Sequence, residues 1–131
     1  MPADSLPEPD DTLPLFDGAP PTPETSRADA LECFDGDASL FERMAPLFRR
    51  AALEQSQSLR DALERADRQK VQHWAHTLKG SLLTMGARLT AGHASEVERT
   101  ARLIGLDGLR PSVMQVVGET RVIADHLSPP E

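Results

Sequence analysis

The sequence predicts an all-α fold, namely an antiparallel four-helix up-down-up-down bundle with a short additional helix at its N-terminus. Beyond residue 25, apolar residues recur every three or four positions, which is the period of an amphipathic helix. Aromatic residues make up only 4% of the chain, and no segment alternates with the period of a strand. An aliphatic helical core is therefore favoured over a β-sandwich. The short connections between long helices favour antiparallel neighbours.

Residues 1–24 are predicted to form an acidic, proline-rich disordered tail or linker, and residues 25–131 the helical bundle. Seven of the eleven prolines lie in residues 1–27, together with six acidic residues and a single arginine. Proline lacks the amide donor and disfavours a helical conformation in the residue before it. A segment with this composition cannot bury enough apolar surface to offset the entropy of ordering.

The first helix is predicted over about residues 25–34, and the turn at residues 35–37 ends it. A long second helix is expected to begin near Ala38, with Asp37 as its N-cap. Pro46 falls in its early turns and is expected to kink the helix or delay its regular start. The apolar positions of this helix are Leu40, Phe41, Met44, Leu47, Phe48, Ala51, Leu59 and Leu63.

Three more amphipathic helices complete the predicted bundle. The third covers about residues 68–85 and ends before Gly86, the fourth covers about 88–104, and the last covers about 109–127. The third helix has one continuous apolar stripe of Val71, Ala75, Leu78, Leu82 and Met85. The inward positions of the other two are Ala94, Val97, Ala101 and Ile104, then Val113, Val116 or Val117, Thr120, Ile123 and Leu127.

Composition and charge favour a cytoplasmic protein that binds neither nucleic acid nor membrane. The formal net charge is −7, and most of it lies in the tail, so no basic nucleic-acid footprint is present. The N-terminus has no basic region followed by an apolar one, and no apolar run approaches the length of a membrane span. Cys33 is the only cysteine, which fits a reducing compartment. We expect Cys33 to have a core or inert role rather than to act as a nucleophile.

The candidate chemistry lies in the third helix, at residues 73–80. On a helix, Lys79 and Gly80 lie on the same surface as His76. An ammonium beside an imidazole suits a histidine that carries a phosphoryl group, because the ammonium pairs with the phosphoryl oxygens. The glycine removes a side chain that would obstruct a docking partner. The alternative is a solvated surface histidine beside a packing glycine, and the residues alone leave both interpretations open.

A metal site is a weaker alternative. His73 and His76 share a face at a spacing of three, and Glu96 and Glu98 are available on the next helix. A metal site in a bundle core needs paired Glu-x-x-His motifs, and the sequence contains no such pair. We therefore predict no metal site. The chain also lacks a glycine-rich phosphate loop, so we expect no self-phosphorylation from ATP.

The run from His76 to Ser81, with Gly86 and Ala87 ten and eleven residues after the histidine, resembles the signature of histidine-containing phosphotransfer (HPt) domains. The resemblance covers about residues 28–127. It implies a phosphotransfer intermediate in a multistep two-component phosphorelay, without intrinsic kinase activity. His76 would accept the phosphoryl group, Lys79 would neutralise its charge, and Glu98 would orient the imidazole.

The resemblance also implies partners, namely response-regulator receiver domains and a hybrid sensor kinase. The receiver would supply magnesium, so no cofactor is expected on this chain, which we expect to be a monomer. Six residues are predicted to dock a partner because they share the helical surface around His76: Gln72, His73, Trp74, Gly80, Leu83 and Thr84. Trp74 would either cover a helix interface or flank this surface. His93 is expected to be a partly buried, satisfied histidine rather than a second site. A docking module that binds a receiver or kinase without phosphate is the main alternative function.

Overall fold

The computed structural model describes residues 23–129, which form five α-helices and no strand. The helices are α1 (Arg27–Glu32), α2 (Ala38–Glu64), α3 (Arg68–Thr84), α4 (Arg88–Leu103) and α5 (Arg110–Leu127). Their ends lie within one or two residues of the predicted ones, and the predicted fold class is confirmed. The predicted tail lies outside the described residues except for Pro23 and Glu24, and the domain division at residue 24 stays a prediction.

The turn that joins α1 to α2 fixes where the long helix begins. Asp35 and Gly36 take left-handed backbone angles, with φ of 54° and 77°. The side chain of Asp37 then accepts a hydrogen bond from the backbone N–H of Leu40 at 3.0 Å, so the predicted N-cap is confirmed. The helix continues through Pro46, and the expectation that Pro46 delays its start was wrong. Pro46 is exposed, so water can reach the carbonyl that the proline ring leaves without a helical partner.

The N-terminus of α4 is capped by a residue distant in sequence. Its own N-cap position is Ala87, which offers no side-chain acceptor. The carboxylate of Glu24 accepts hydrogen bonds from the backbone N–H groups of Leu89, at 2.7 Å, and Thr90. A carboxylate here satisfies free amide donors and complements the positive end of the helix dipole. Glu24, which the sequence assigned to the tail, therefore contacts the bundle.

The four long helices pack in cyclic order. Helix α3 lies between α2 and α4, and α5 contacts both α2 and α4, while α1 packs against α2 and α5. Successive long helices are joined by only a few residues, so each runs antiparallel to the one before it. The predicted apolar stripe of α3 is confirmed, because all five of its members are fully buried in one aliphatic core. This packing turns the opposite face of α3 towards solvent.

Two positions expected in the interior lie at the surface: Ile104 is 78% exposed and Leu47 is 50% exposed. Cys33, for which a core or an inert role was expected, is a free, exposed cysteine, so the core role was wrong and the inert role stays a prediction. Ile104 is the C-cap residue that directly follows α4. Despite these exposed apolar residues, none of the helices within residues 23–129 is long and apolar enough to cross a membrane.

Candidate functional site

His76 is at the centre of the exposed face of α3. Its side chain is 64% exposed, and the buried stripe of the same helix lies on the opposite side. At about 100° per residue, the helix brings one set of side chains to this exposed side. We call this surface the His76 face: Gln69, Gln72, His73, His76, Lys79, Gly80, Leu83 and Thr84. It contains five of the six residues predicted to dock a partner.

A carboxylate from the neighbouring helix holds the imidazole. Nδ1 of His76 lies 3.3 Å from each of the two oxygens of Glu98 on α4. Glu98 is only 20% exposed, so its position is set by the packing of α4 against α3. A carboxylate beside Nδ1 favours a proton on that nitrogen and leaves the lone pair on Nε2. Nε2 has no hydrogen-bond partner among the residues that the structure describes.

Glu98 also contacts the cation of the site. Nζ of Lys79 lies 3.8 Å from Oε1 of Glu98, and the lysine side chain is 29% exposed. Lys79 and His76 therefore approach the same carboxylate from successive turns of α3. The sequence pattern anticipated that Lys79 lies beside His76 but contained no signal that the lysine pairs with Glu98.

Gly80 faces open space. A Cβ atom built on Gly80 meets no atom within 4 Å, and the residue is exposed. The alternative of a packing glycine is therefore wrong, because nothing within the described chain packs against it. Glycine in a helix interior costs about 1 kcal/mol relative to alanine, and no internal contact offsets that cost. The bare backbone next to His76 remains available to another molecule.

The two residues that follow on this face are also accessible. Leu83, in the last turn of α3, is a large apolar side chain that is 48% exposed. The hydroxyl of Thr84 donates to the carbonyl of Gly80 at 3.1 Å, so it satisfies a backbone acceptor near the C-terminal end of α3. Together they give the His76 face an apolar end beside a polar centre.

Trp74 does not lie on the His76 face. It is about 160° around the helix axis from His76, and it is half-buried against the core. It lines a groove of about 150 Å³ between α2 and α3, and its ring contacts that of His73 edge-on, with centroids 4.8 Å apart. This placement fits the first of the two roles expected for it, the covering of a helix interface.

One of the residues considered for a metal site is paired elsewhere. Glu96 is directed away, in an ion pair with Arg99 at 2.6 Å. Among residues 23–129 there is no group of three or more histidine, cysteine, aspartate or glutamate side chains that could hold a metal ion.

The protein contains a second histidine–carboxylate pair, at His93. Nδ1 of His93 on α4 lies 2.9 Å from Oε1 of Glu119 on α5, and the amide of Gln115 donates to the other oxygen at 3.0 Å. His93 is partly buried, as expected from the sequence. No lysine or arginine forms an ion pair with Glu119 in the described part of the chain. Glu119 was not among the residues predicted from the sequence, although its spacing of four from Gln115 is a helical pairing signal.

Comparison with protein-family models matches residues 43–126 to the Hpt domain. The matched region is well over half of the chain and includes all of α3 and α4, and thus His76, Lys79 and Glu98. Searches of curated proteins and of solved structures gave no match.

Proposed function

The chain belongs to the Hpt domain family, whose members carry phosphoryl groups in two-component signalling, and we propose that it does so through a phosphohistidine at His76. Members of the family are carriers rather than kinases, and they interact with receiver domains and kinases. The finer proposal is a relay in which His76 takes a phosphoryl group from one receiver-domain aspartate and passes it to another.

The observation that carries the proposal is the contrast between the two ring nitrogens of His76. Nδ1 faces the Glu98 carboxylate, 3.3 Å from both oxygens, while Nε2 is on a side chain that is 64% exposed. Hydrogen bonding at Nδ1 fixes the ring orientation and leaves Nε2 as the nucleophile. Phosphoryl transfer depends mainly on positioning and on charge neutralisation. A fixed, exposed imidazole is therefore sufficient on this side of the reaction.

The transfer step requires little chemistry from this chain. The Nε2 lone pair forms a bond to phosphorus, the bond between phosphorus and the donor aspartate oxygen breaks, and its electron pair stays on that carboxylate. The receiver would supply magnesium. Lys79, one turn from His76, is the group that would neutralise phosphoryl charge on this chain.

The His76 face is the proposed docking surface. Its bare position at Gly80 allows close approach, and the exposed Leu83 offers apolar contact. Gln72, His73 and Thr84 supply polar contacts around them. The partners that we propose are response-regulator receiver domains and a hybrid sensor kinase. The monomeric state and the cytoplasmic location stay predictions from the sequence.

The test is phosphotransfer from receiver domains of the source organism, each labelled on its aspartate. His76→Gln is expected to abolish labelling without loss of helicity, because the side chain is exposed. His93→Gln is the matched control, since it removes a histidine with a similar carboxylate contact, and it is expected to be labelled like the native protein. The label should be acid-labile and base-stable, and ATP alone should give none.

Two results would contradict the proposal. Labelling of the His76→Gln variant would place the phosphoryl group elsewhere. Binding of a receiver with equal affinity to native and His76→Gln proteins, with neither one labelled, would instead indicate a docking module that does not use phosphate.

A further inference from the structure

The carboxylate of Glu98 contacts both the His76 imidazole and the Lys79 ammonium of α3. Once His76 is phosphorylated, the carboxylate cannot pair with both groups equally. Nδ1 of His76 is 3.3 Å from both carboxylate oxygens, and Nζ of Lys79 is 3.8 Å from Oε1. In the form that can accept a phosphoryl group, the ring is neutral and has one proton. The ion pair of the resting site is therefore Lys79 with Glu98, and Lys79 forms no other ion pair within the described residues.

From this geometry, and resting on the proposed function, we infer that Lys79 exchanges its partner during each cycle. In the resting protein its ammonium is held by Glu98. When the phosphoryl group arrives on Nε2, the ammonium moves to the phosphoryl oxygens, and Glu98 keeps only the imidazole. Glu98 is thus a positioning residue for Lys79 as well as for His76.

The charge balance of the transfer drives this exchange. Nε2 gives its lone pair to phosphorus, and the bond from phosphorus to the donor breaks, with its electrons leaving on the donor. A ring that keeps its Nδ1 proton then carries a positive charge. Glu98 faces a cation at His76 in place of a neutral ring, while the new phosphoryl oxygens beside Lys79 carry up to two negative charges. After the exchange each anion faces a cation: Glu98 faces the imidazole ring, and the phosphoryl group faces Lys79.

The structure allows the movement. Lys79 follows His76 by three residues, so both side chains project from the same surface of α3. The lysine side chain is an unbranched four-carbon chain with a rotatable ammonium, and it is part exposed. Glu98, being more buried, is the fixed member of the group. Lys79 can therefore reach either anion without any change in the backbone.

The sequence offers an unusually simple test, because Lys70 and Lys79 are its only lysines. Labelling with ¹⁵N-lysine gives two side-chain resonances, which are followed through the adjacent non-exchanging protons. Lys70, at the solvent-exposed start of the same helix, is the internal reference. Phosphoramidate serves as the phosphoryl donor, so that no receiver is needed. Its P–N bond breaks as the bond from Nε2 to phosphorus forms, and ammonia leaves. The ³¹P spectrum then reports the phosphohistidine product.

We expect Glu98→Gln to shift the Lys79 resonance and leave Lys70 unchanged in the resting protein. Phosphoramidate should shift Lys79 in the native protein but not in His76→Gln. In phosphorylated protein, Glu98→Gln should no longer alter the Lys79 resonance. A Lys79 resonance that is equally sensitive to Glu98→Gln before and after phosphorylation would overturn the exchange and leave the phosphohistidine intact. Absence of a His76-dependent ³¹P signal would instead overturn the proposed function, and the exchange with it.

Discussion

Replacing Gly80 with alanine is expected to stabilise the bundle and to slow phosphoryl transfer, two effects of opposite sign from one methyl group. Gly80 lies in the interior of α3, its φ is not positive, and an added Cβ meets nothing within 4 Å. The folded protein therefore accepts alanine without strain. The gain is the difference in helix propensity, about 1 kcal/mol. For a domain of this size that corresponds to a rise in Tm of about 4 °C.

Stability is measured by urea denaturation of the native protein and Gly80→Ala, followed by circular dichroism. Gly92→Ala is the matched control, because Gly92 is also an exposed mid-helix glycine with open space at its Cβ. It lies on α4, outside the His76 face. Both variants should gain about the same free energy of unfolding, since the reason for the gain is identical.

Transfer from a phosphorylated receiver should separate the two glycines. Gly92→Ala should be labelled at the native rate, whereas Gly80→Ala should be slower, and Gly80→Gln should be slower by about tenfold or more. A displacement of about 1 Å between reacting groups can reduce a rate by about a hundredfold. A Gly80→Ala protein that is less stable than the native protein would contradict the first effect. Labelling of Gly80→Gln as fast as that of Gly92→Ala would contradict the second.

Two further predictions concern stability. Thr120→Val should raise the free energy of unfolding by about 1 kcal/mol. The buried hydroxyl of Thr120 has no hydrogen-bond partner among the described residues, so the cost of burying it is uncompensated. A loss of stability in urea denaturation would contradict this prediction. Glu24→Ala should lower the free energy of unfolding by about 1 kcal/mol, since the N-terminus of α4 loses the side-chain cap that Glu24 supplies. Hydrogen exchange should accelerate at the amides of Leu89 and Thr90, and unchanged exchange there would count against the cap. Glu54→Ala, at an exposed position of α2, is the control.

The sequence predicted the helices well because the signals that define them are local. The stripe from Val71 to Met85 follows the helical period, and Asp37 supplies a cap within its own turn. The errors occurred where burial depends on the neighbouring helices. Ile104 has the right period to face inward, but it follows the last residue of α4 and is left exposed. Leu47 likewise fits the apolar pattern of α2 and is left half exposed.

The amino-acid sequence is enough to put His76, Lys79 and Gly80 on one exposed face of a helix, because spacings of three and four residues fix which side chains are neighbours. The tertiary structure adds that Glu98, which the family resemblance already paired with His76, also contacts Lys79, that Trp74 packs towards α2, and that Glu24 caps α4. These contacts join residues far apart in the chain. Their distances depend on how far one helix is shifted and rotated against the next, and the packing of the whole core sets that register.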